Sequence, residues 1–290
     1  MAEALVISSS LLYAVGIASL RRGLVKSNFV SASVTTMIVE TIVISVVLLP
    51  LLPKTLNLYA TMIFLFTGVF SLGVVRLLYF KGMERLGAST NASIFAVYPL
   101  IGSFTAVLLL GEKLTPNLLL GTVITVVGAF LVERGSAVYQ GSSLRKPSKT
   151  AFTYPFTCAV LVGTAWVFRK IALNIYGEPL VGIAIEHLSS LLLYAVLSAV
   201  SRDFHRLSSV NRESFKLFWK GGICIIWGFI LRFYAVRIGK VAVVVPLMNT
   251  SPLFLLFFAH FFLKRLERVT PSLVAGTISV FTGIVLITAF

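Results

Sequence analysis

Apolar residues run through this chain in long blocks, and the charged and turn-forming residues collect in the stretches between them. A helix needs about 20 apolar residues to cross a hydrocarbon core of ~30 Å, and the period-2 alternation of a barrel strand is weak here. The pattern therefore predicts about ten membrane-crossing helices. They fall near residues 4–20, 30–52, 60–80, 89–110, 115–132, 152–168, 179–200, 217–236, 241–263 and 271–290. Most connections are short, and two are longer and polar. Residues 135–149, with Gly135, Ser136, Gly141, Ser142, Ser143, Pro147 and Ser148, have linker composition. Residues 201–216 carry Arg202, Arg206 and Arg212 and are expected to lie along a membrane surface.

The blocks also repeat. Thr115-Pro116, Gly121-Thr122 and Gly128 recur without a gap as Thr270-Pro271, Gly276-Thr277 and Gly283. Upstream, Tyr79-Phe80-Lys81-Gly82 and Glu112 find degenerate partners in Phe233-Tyr234-Ala235-Val236-Arg237 and Glu267. An internal repeat in an apolar chain bears on the whole fold. Each half holds five spans, an odd number, so the second half enters the bilayer from the opposite side and the repeats are inverted. The expected fold is an all-α integral membrane protein, with residues 1–134 and 150–290 as inverted five-helix repeats joined by the linker 135–149. Glycines at heptad spacing, Gly121 with Gly128 and Gly276 with Gly283, suit close helix contact between halves or subunits.

Composition agrees with a membrane protein: 58% of the 290 residues are hydrophobic, 12% are charged, and the mean hydropathy is +0.97. A net charge of +15 would suggest nucleic acid in a soluble protein. Here the basic residues sit between apolar blocks, so no nucleic-acid partner is expected and the charge reads as topology. Connections that follow odd-numbered spans hold Arg21, Arg22, Lys26, Lys81, Arg85, Arg134, Arg202, Arg206, Arg212, Lys264 and Arg265 among others. Those after even-numbered spans hold only Lys54, Lys113, Arg169, Lys170, Arg237 and Lys240. The positive-inside rule places the first set in the cytoplasm and both termini outside. Cys158 and Cys224 lie inside apolar blocks with no metal-ligand spacing, so neither a disulfide framework nor a metal site is expected. The first apolar run lacks the basic start and cleavage site of a signal peptide and is expected to be retained.

Tyr79-Phe80-Lys81-Gly82-Met83-Glu84-Arg85-Leu86-Gly87, Tyr98-Pro99 and Leu110-Gly111-Glu112-Lys113-Leu114-Thr115 resemble the signature of EamA-type transporters of the drug/metabolite transporter superfamily. The resemblance covers essentially the whole chain. It implies secondary transport by alternating access through a cavity between the two halves. Three places depart from the family pattern: Leu266-Glu267-Arg268 for the usual Gly-Glu-Arg, Val15-Gly16 for a common Trp-Gly, and Glu40 or Glu186 where Arg is frequent.

Charge inside the spans is the sharpest chemical signal. Glu40 and Glu186 occupy equivalent places in the second and seventh spans, and Arg76 and Arg232 are similarly deep in the third and eighth. A charge at the bilayer centre costs at least ~2.5–3.5 kcal/mol, so each is expected to face the interior. Two readings stand side by side: the glutamates line a cavity and hold a cation, an amino group or a coupling proton, or they form buried bridges, Glu40 with Arg76 and Glu186 with Arg232. His187 reads as a packing histidine, because neighbours on a helix point about 100° apart and it cannot share a target with Glu186. Glu112 and Glu267, each just before Thr-Pro, suit the positive start of the helix that follows. Tyr79, Tyr98, Trp166 and Tyr234, with Asn91 and Asn249, are candidate substrate contacts, and Pro99, Pro246 and Pro252 are candidate kinks or gates.

No nucleophile or metal motif supports a membrane-embedded enzyme, no filter string supports a channel, and no P-loop or cofactor motif is present. The expected function is a secondary active transporter of a small organic metabolite, such as an amino acid or organic cation, driven by protons or by exchange. The chain is expected in the cell membrane as a multi-pass protein, its partners a small-molecule substrate and the lipid bilayer, acting as a monomer or homodimer.

Overall fold

The computed structural model describes residues 1–24, 26–51, 55–86, 88–137, 149–201, 210–251, 253–254 and 271–288. The first half comprises α1 (Ala2–Leu24), α2 (Phe29–Leu48) and α3 (Leu58–Thr67), which continues through a π-helical segment (Gly68–Val74) into α4 (Val75–Leu86). It then adds α5 (Ala88–Phe95), α6 (Tyr98–Leu110) and α7 (Pro116–Ala137). The second half comprises α8 (Thr153–Ile175), α9 (Pro179–Val200), α10 (Arg212–Ile238), α11 (Val241–Met248) and α12 (Pro271–Thr288). Seven stretches among the described residues are long and apolar enough to span a bilayer, and the apolar parts of α7 (Pro116–Val132) and α12 (Val274–Thr288) are shorter.

Local chemistry sets the ends. Asn28, Asn57 and Asn211 start α2, α3 and α10, each side-chain oxygen accepting from a backbone N–H three residues on: Ser31, Ala60 and Ser214. Pro116 and Pro179 open α7 and α9, where a missing N–H costs nothing. Gly111 ends α6 in the left-handed region at φ 66°, which a glycine adopts without a Cβ clash. Several boundaries differ from the sequence pattern, among them the end of the fifth span, which runs to Ala137 into the stretch read as linker. The sixth span runs past residue 168 to Ile175, and the eighth begins at Arg212, inside the stretch read as a surface connection. The linker residues 138–148, the loop residues 202–209 and the second-half motif around Glu267 lie outside the described residues, as does Pro252.

Inversion shows in which helices touch. α1 packs along α10, and α8 packs along α3, the π segment and α4, which is the same pairing with the halves exchanged. The α2–α10 contact is matched by α9 against α3 and the π segment, and α6–α8 by α11–α1. Three pairs map onto themselves: α2 with α9, α6 with α11, and α7 with α12. These self-related pairs form the seam between halves. Large apolar side chains such as Met62, Phe104, Leu108, Leu192 and Val196 are exposed around the bundle, facing the bilayer.

The α7–α12 contact is where the repeated glycines meet, so the expected close packing joins halves. A Cβ on Gly128 would stand 2.6 Å from the Val280 nitrogen, and one on Gly276 2.7 Å from the Gly128 oxygen. Backbone lies against backbone there, with no flexible side chain to give way. Gly276→Val is expected to cost about 1–3 kcal/mol through overpacking, seen as a fall of several degrees in Tm of the detergent-purified protein. Val127→Leu, on the exposed side of α7, should leave Tm unchanged.

Candidate functional site

Among the described residues two carboxylates are buried in the bundle, and the structure treats them differently. Glu186, on α9, is fully buried in a two-pronged pair with Arg169: Nε–H donates to Oε1 at 2.8 Å and Nη2–H to Oε2 at 2.9 Å. The Thr67 hydroxyl donates to Oε1 at 2.6 Å, and Arg169 also donates to Ser71 Oγ at 3.2 Å. Rings of Trp166, Phe229 and Phe233 surround the guanidinium, the nearest centroid 4.5 Å from Cζ. Every oxygen of this carboxylate has a donor, and the cation lies on aromatic faces, which is how a buried pair offsets its desolvation.

This corrects two expectations. The partner of Glu186 is Arg169 and not Arg232, and Arg169 lies inside α8 and not in a connection. The sequence pattern closed the sixth span at the first basic pair, yet Ile171-Ala172-Leu173 carry its apolar run on beyond Arg169 and Lys170. Lys170, one residue on, points elsewhere: its ammonium donates to the carbonyls of Val236, Arg237 and Gly239 at the end of α10.

The π-helical segment serves the same place. Its wider turn presents Ser71 to Arg169, while α9 meets its carbonyls: Ser190 donates to Gly68 O at 2.6 Å and the Tyr194 hydroxyl to Gly73 O at 3.3 Å. Gly68 is in close contact with the backbone of Glu186, where a Cβ would come within 2.6 Å.

Glu40, on α2, forms the expected pair with Arg76, at 3.3 Å from Nη2 to Oε2. Arg76 also donates to Thr36 Oγ1 at 3.1 Å and keeps a fifth of its side-chain surface exposed. The second contact of Glu40 was missed in the sequence: Nε2 of His187 lies 3.3 Å from the same Oε2. His187 does turn away from Glu186, as helical geometry requires, and that turn carries it across the seam to the other glutamate. Its Nδ1 lies 2.8 Å from the Ile183 carbonyl, which only accepts, so Nδ1 carries a hydrogen. Nε2 and Oε2 then meet favourably only when one proton sits between them, on either group. Oε1 of Glu40 is buried and has no hydrogen-bond partner among the described residues.

Arg232, on α10, is buried beside α1. Its Nε–H donates to Ser9 Oγ at 3.4 Å, its Nη2–H to Ser251 Oγ at 3.1 Å, and its Cζ sits 4.2 Å above the Tyr13 ring. The remaining candidates divide. Tyr79 meets Phe95 edge-on and Phe95 stacks on Tyr98, giving an aromatic wall on α4, α5 and α6. Trp166 is committed to Arg169 and to the Phe229 and Phe233 rings. Tyr234 lies apart from Glu40, lining a cavity of about 440 Å³ with Leu48, Leu51, Thr55, Tyr176, Glu178, Leu180 and Val181. Asn91 donates to the Tyr79 carbonyl at 3.1 Å, and its Oδ1 has no partner among the described residues.

Pro99 stands at a helix break and Pro246 inside a helix that ends two residues later. The fourth span divides after Phe95, with Pro99 in the first turn of α6, and Asn249 from the other half donates to the Ala96 carbonyl in the gap at 3.0 Å. Pro246 lies inside α11 and cannot donate to Ala242, four residues back; the Ser103 hydroxyl of α6 reaches that carbonyl at 3.4 Å. Glu112 corrects its expectation as well. Its carboxylate accepts from the Val241 and Ala242 N–H groups at 2.8 Å each, so it starts α11 of the opposite half and not α7.

The EamA-like transporter family matches residues 1–134 and 150–289, one match in each half. No curated protein matches the sequence. A solved structure titled "Crystal structure of protein" superimposes with a TM-score of 0.81 at 14% identity, covering 99% of this chain and 96% of that one. At that identity the likeness speaks for the fold alone. With both halves matched and the inverted arrangement in place, this multi-pass membrane protein belongs to the EamA-like transporter family.

Proposed function

We propose that the chain is a proton-coupled secondary transporter that moves a small organic metabolite by alternating access in the cell membrane. The observation that carries this reading is the Glu40–His187 contact. It joins α2 of one half to α9 of the other, and its sign depends on a single proton. With the proton bound, carboxyl and imidazole attract. Without it, a carboxylate faces an imidazole lone pair at 3.3 Å and the two halves repel at that point. A proton gradient thereby acts on the relative position of the halves.

The groups around the proton suit that role. Arg76 on α4 holds the carboxylate on one side, Tyr194 on α9 and Tyr13 on α1 lie within its electrostatic reach, and Thr36 steadies the guanidinium. Glu186 and Arg169 do a different job. They fill one another's bonding capacity and fix α8 against α9 and the π segment.

Proteoliposomes loaded with the purified protein test the proton reading, using a panel of amino acids, organic cations and organic acids with and without an imposed pH gradient. The wild type is expected to accumulate substrate when the gradient is applied. Glu40→Gln, whose amide offers a permanent donor to His187, is expected to reduce gradient-driven accumulation by about tenfold or more while leaving counterflow exchange. His187→Gln should do the same. Gradient-driven accumulation that persists in both variants would sink the assignment.

The division of labour has its own test. Removing one partner of a buried pair costs about 3–5 kcal/mol, so Arg169→Leu is expected to lower Tm by on the order of 10 °C. Glu40→Gln should lower Tm by less than Arg169→Leu does, because Arg76 keeps a fifth of its side chain exposed and the Gln oxygen can still accept from it.

A further inference from the structure

Three guanidinium groups, those of Arg76, Arg169 and Arg232, lie in the bundle interior against two buried carboxylates among the described residues. Arg76 takes Glu40 and Arg169 takes Glu186. Arg232 is left with neutral company, the hydroxyls of Ser9 and Ser251 and the face of Tyr13, while only 8% of it is exposed. A guanidinium stays charged at any physiological pH, so burial cannot be relieved by losing a proton. Its Nη1 has no acceptor among the described residues, although the Tyr13 ring and two serines hold the plane in place.

The neighbourhood repeats the message. Ser10 on α1 and Thr250 just after α11 each keep a buried hydroxyl with no hydrogen-bond partner among the described residues. They follow and precede in the chain the two serines that bind Arg232. A buried cation is almost always balanced by an anion, so one with only neutral partners marks a place for an anionic ligand. The excess is one positive charge, supplied by a planar fork.

We propose that Arg232 binds a carboxylate of the transported solute, so that the substrate is a small organic acid or a zwitterion whose acid group sits at this arginine. This rests on the transporter reading above and narrows it. A carboxylate presents two oxygens in one plane to parallel N–H donors of a guanidinium, and a single negative charge balances the excess. A doubly charged phosphate would need a second free cation, which the described residues do not supply. Binding of the anion also complements proton loading at Glu40 and His187. The carboxylate and the proton together add no net charge.

The test is thermal melting of the full chain in neutral detergent, titrated with sodium carboxylates from acetate to phenylacetate, each against its uncharged amide. At least one carboxylate is expected to raise Tm saturably where its amide does not. Arg232→Gln should weaken that stabilisation by tenfold or more, Ser251→Ala by about three- to tenfold, and Val127→Leu, on the exposed side of α7, should leave it in place. Should Arg232→Gln fail to fold, Ser251→Ala and Arg232→Lys decide the matter by the same titration. The proposal is overturned if no carboxylate outperforms its amide, if the folded Arg232 variants bind as the wild type does, or if stabilisation comes only from tetraethylammonium, inorganic phosphate or an anionic phospholipid. Carboxylate binding without flux in vesicles would remove the transporter reading and leave this site standing. Flux competed by organic cations and not by carboxylates would do the reverse.

Discussion

The two-pronged pair between Arg169 and Glu186 sets the geometry on which the rest of the interior depends. Both groups are essentially excluded from solvent, so neither tolerates being left without the other. Satisfying them draws four elements to one point: α8 supplies the arginine, α9 the glutamate, α3 the Thr67 hydroxyl and the π segment Ser71. Aromatic rings from α8 and α10 close over the guanidinium. Once α9 is fixed in rotation, His187 must point toward α2. The distance between His187 and Glu40 is then a property of the halves and not of either side chain.

The two glutamates occupy equivalent places in the repeats but not equivalent chemistry. Each takes an arginine from its own half, yet Arg169 comes from the first helix of its repeat and Arg76 from the third. Arg232, the counterpart of Arg76, is left over by that exchange. A symmetric pair of bridges would have paired Arg232 and left Arg169 over instead. The broken symmetry leaves an unfilled carboxylate oxygen on one side and an unpaired guanidinium on the other.

Most of the fold was legible in the sequence because bilayer thickness fixes the block length and an odd number of blocks fixes the inversion. Glycine spacing likewise marked α7 and α12 for close contact, and left open whether that contact joined halves or subunits. The Glu40–Arg76 pair was one of the two readings that shared depth left open. Arg169 was missed, because it stands next to Lys170, and a basic pair near the end of an apolar run reads as a connection. Only the apolar residues beyond it betray the continuing helix. His187 was hidden for another reason: its partner lies 147 positions away in the chain, and helical angles exclude a target without naming one. Glu112 misled through proximity, since the helix start nearest in sequence is not the nearest in space.

The seam between α6 and α11 has one more property. At its outer end it is joined by the Glu112 carboxylate on two backbone N–H groups, next to an exposed connection where water can replace the carboxylate. At its other end, beyond the start of α6 and the end of α11, it is joined by Asn249 on the Ala96 carbonyl, both buried, where solvent does not compete for the bond. The joint is therefore looser at its exposed end and firmer at its buried one. Strain between the halves along this seam would be relieved first at the Glu112 end.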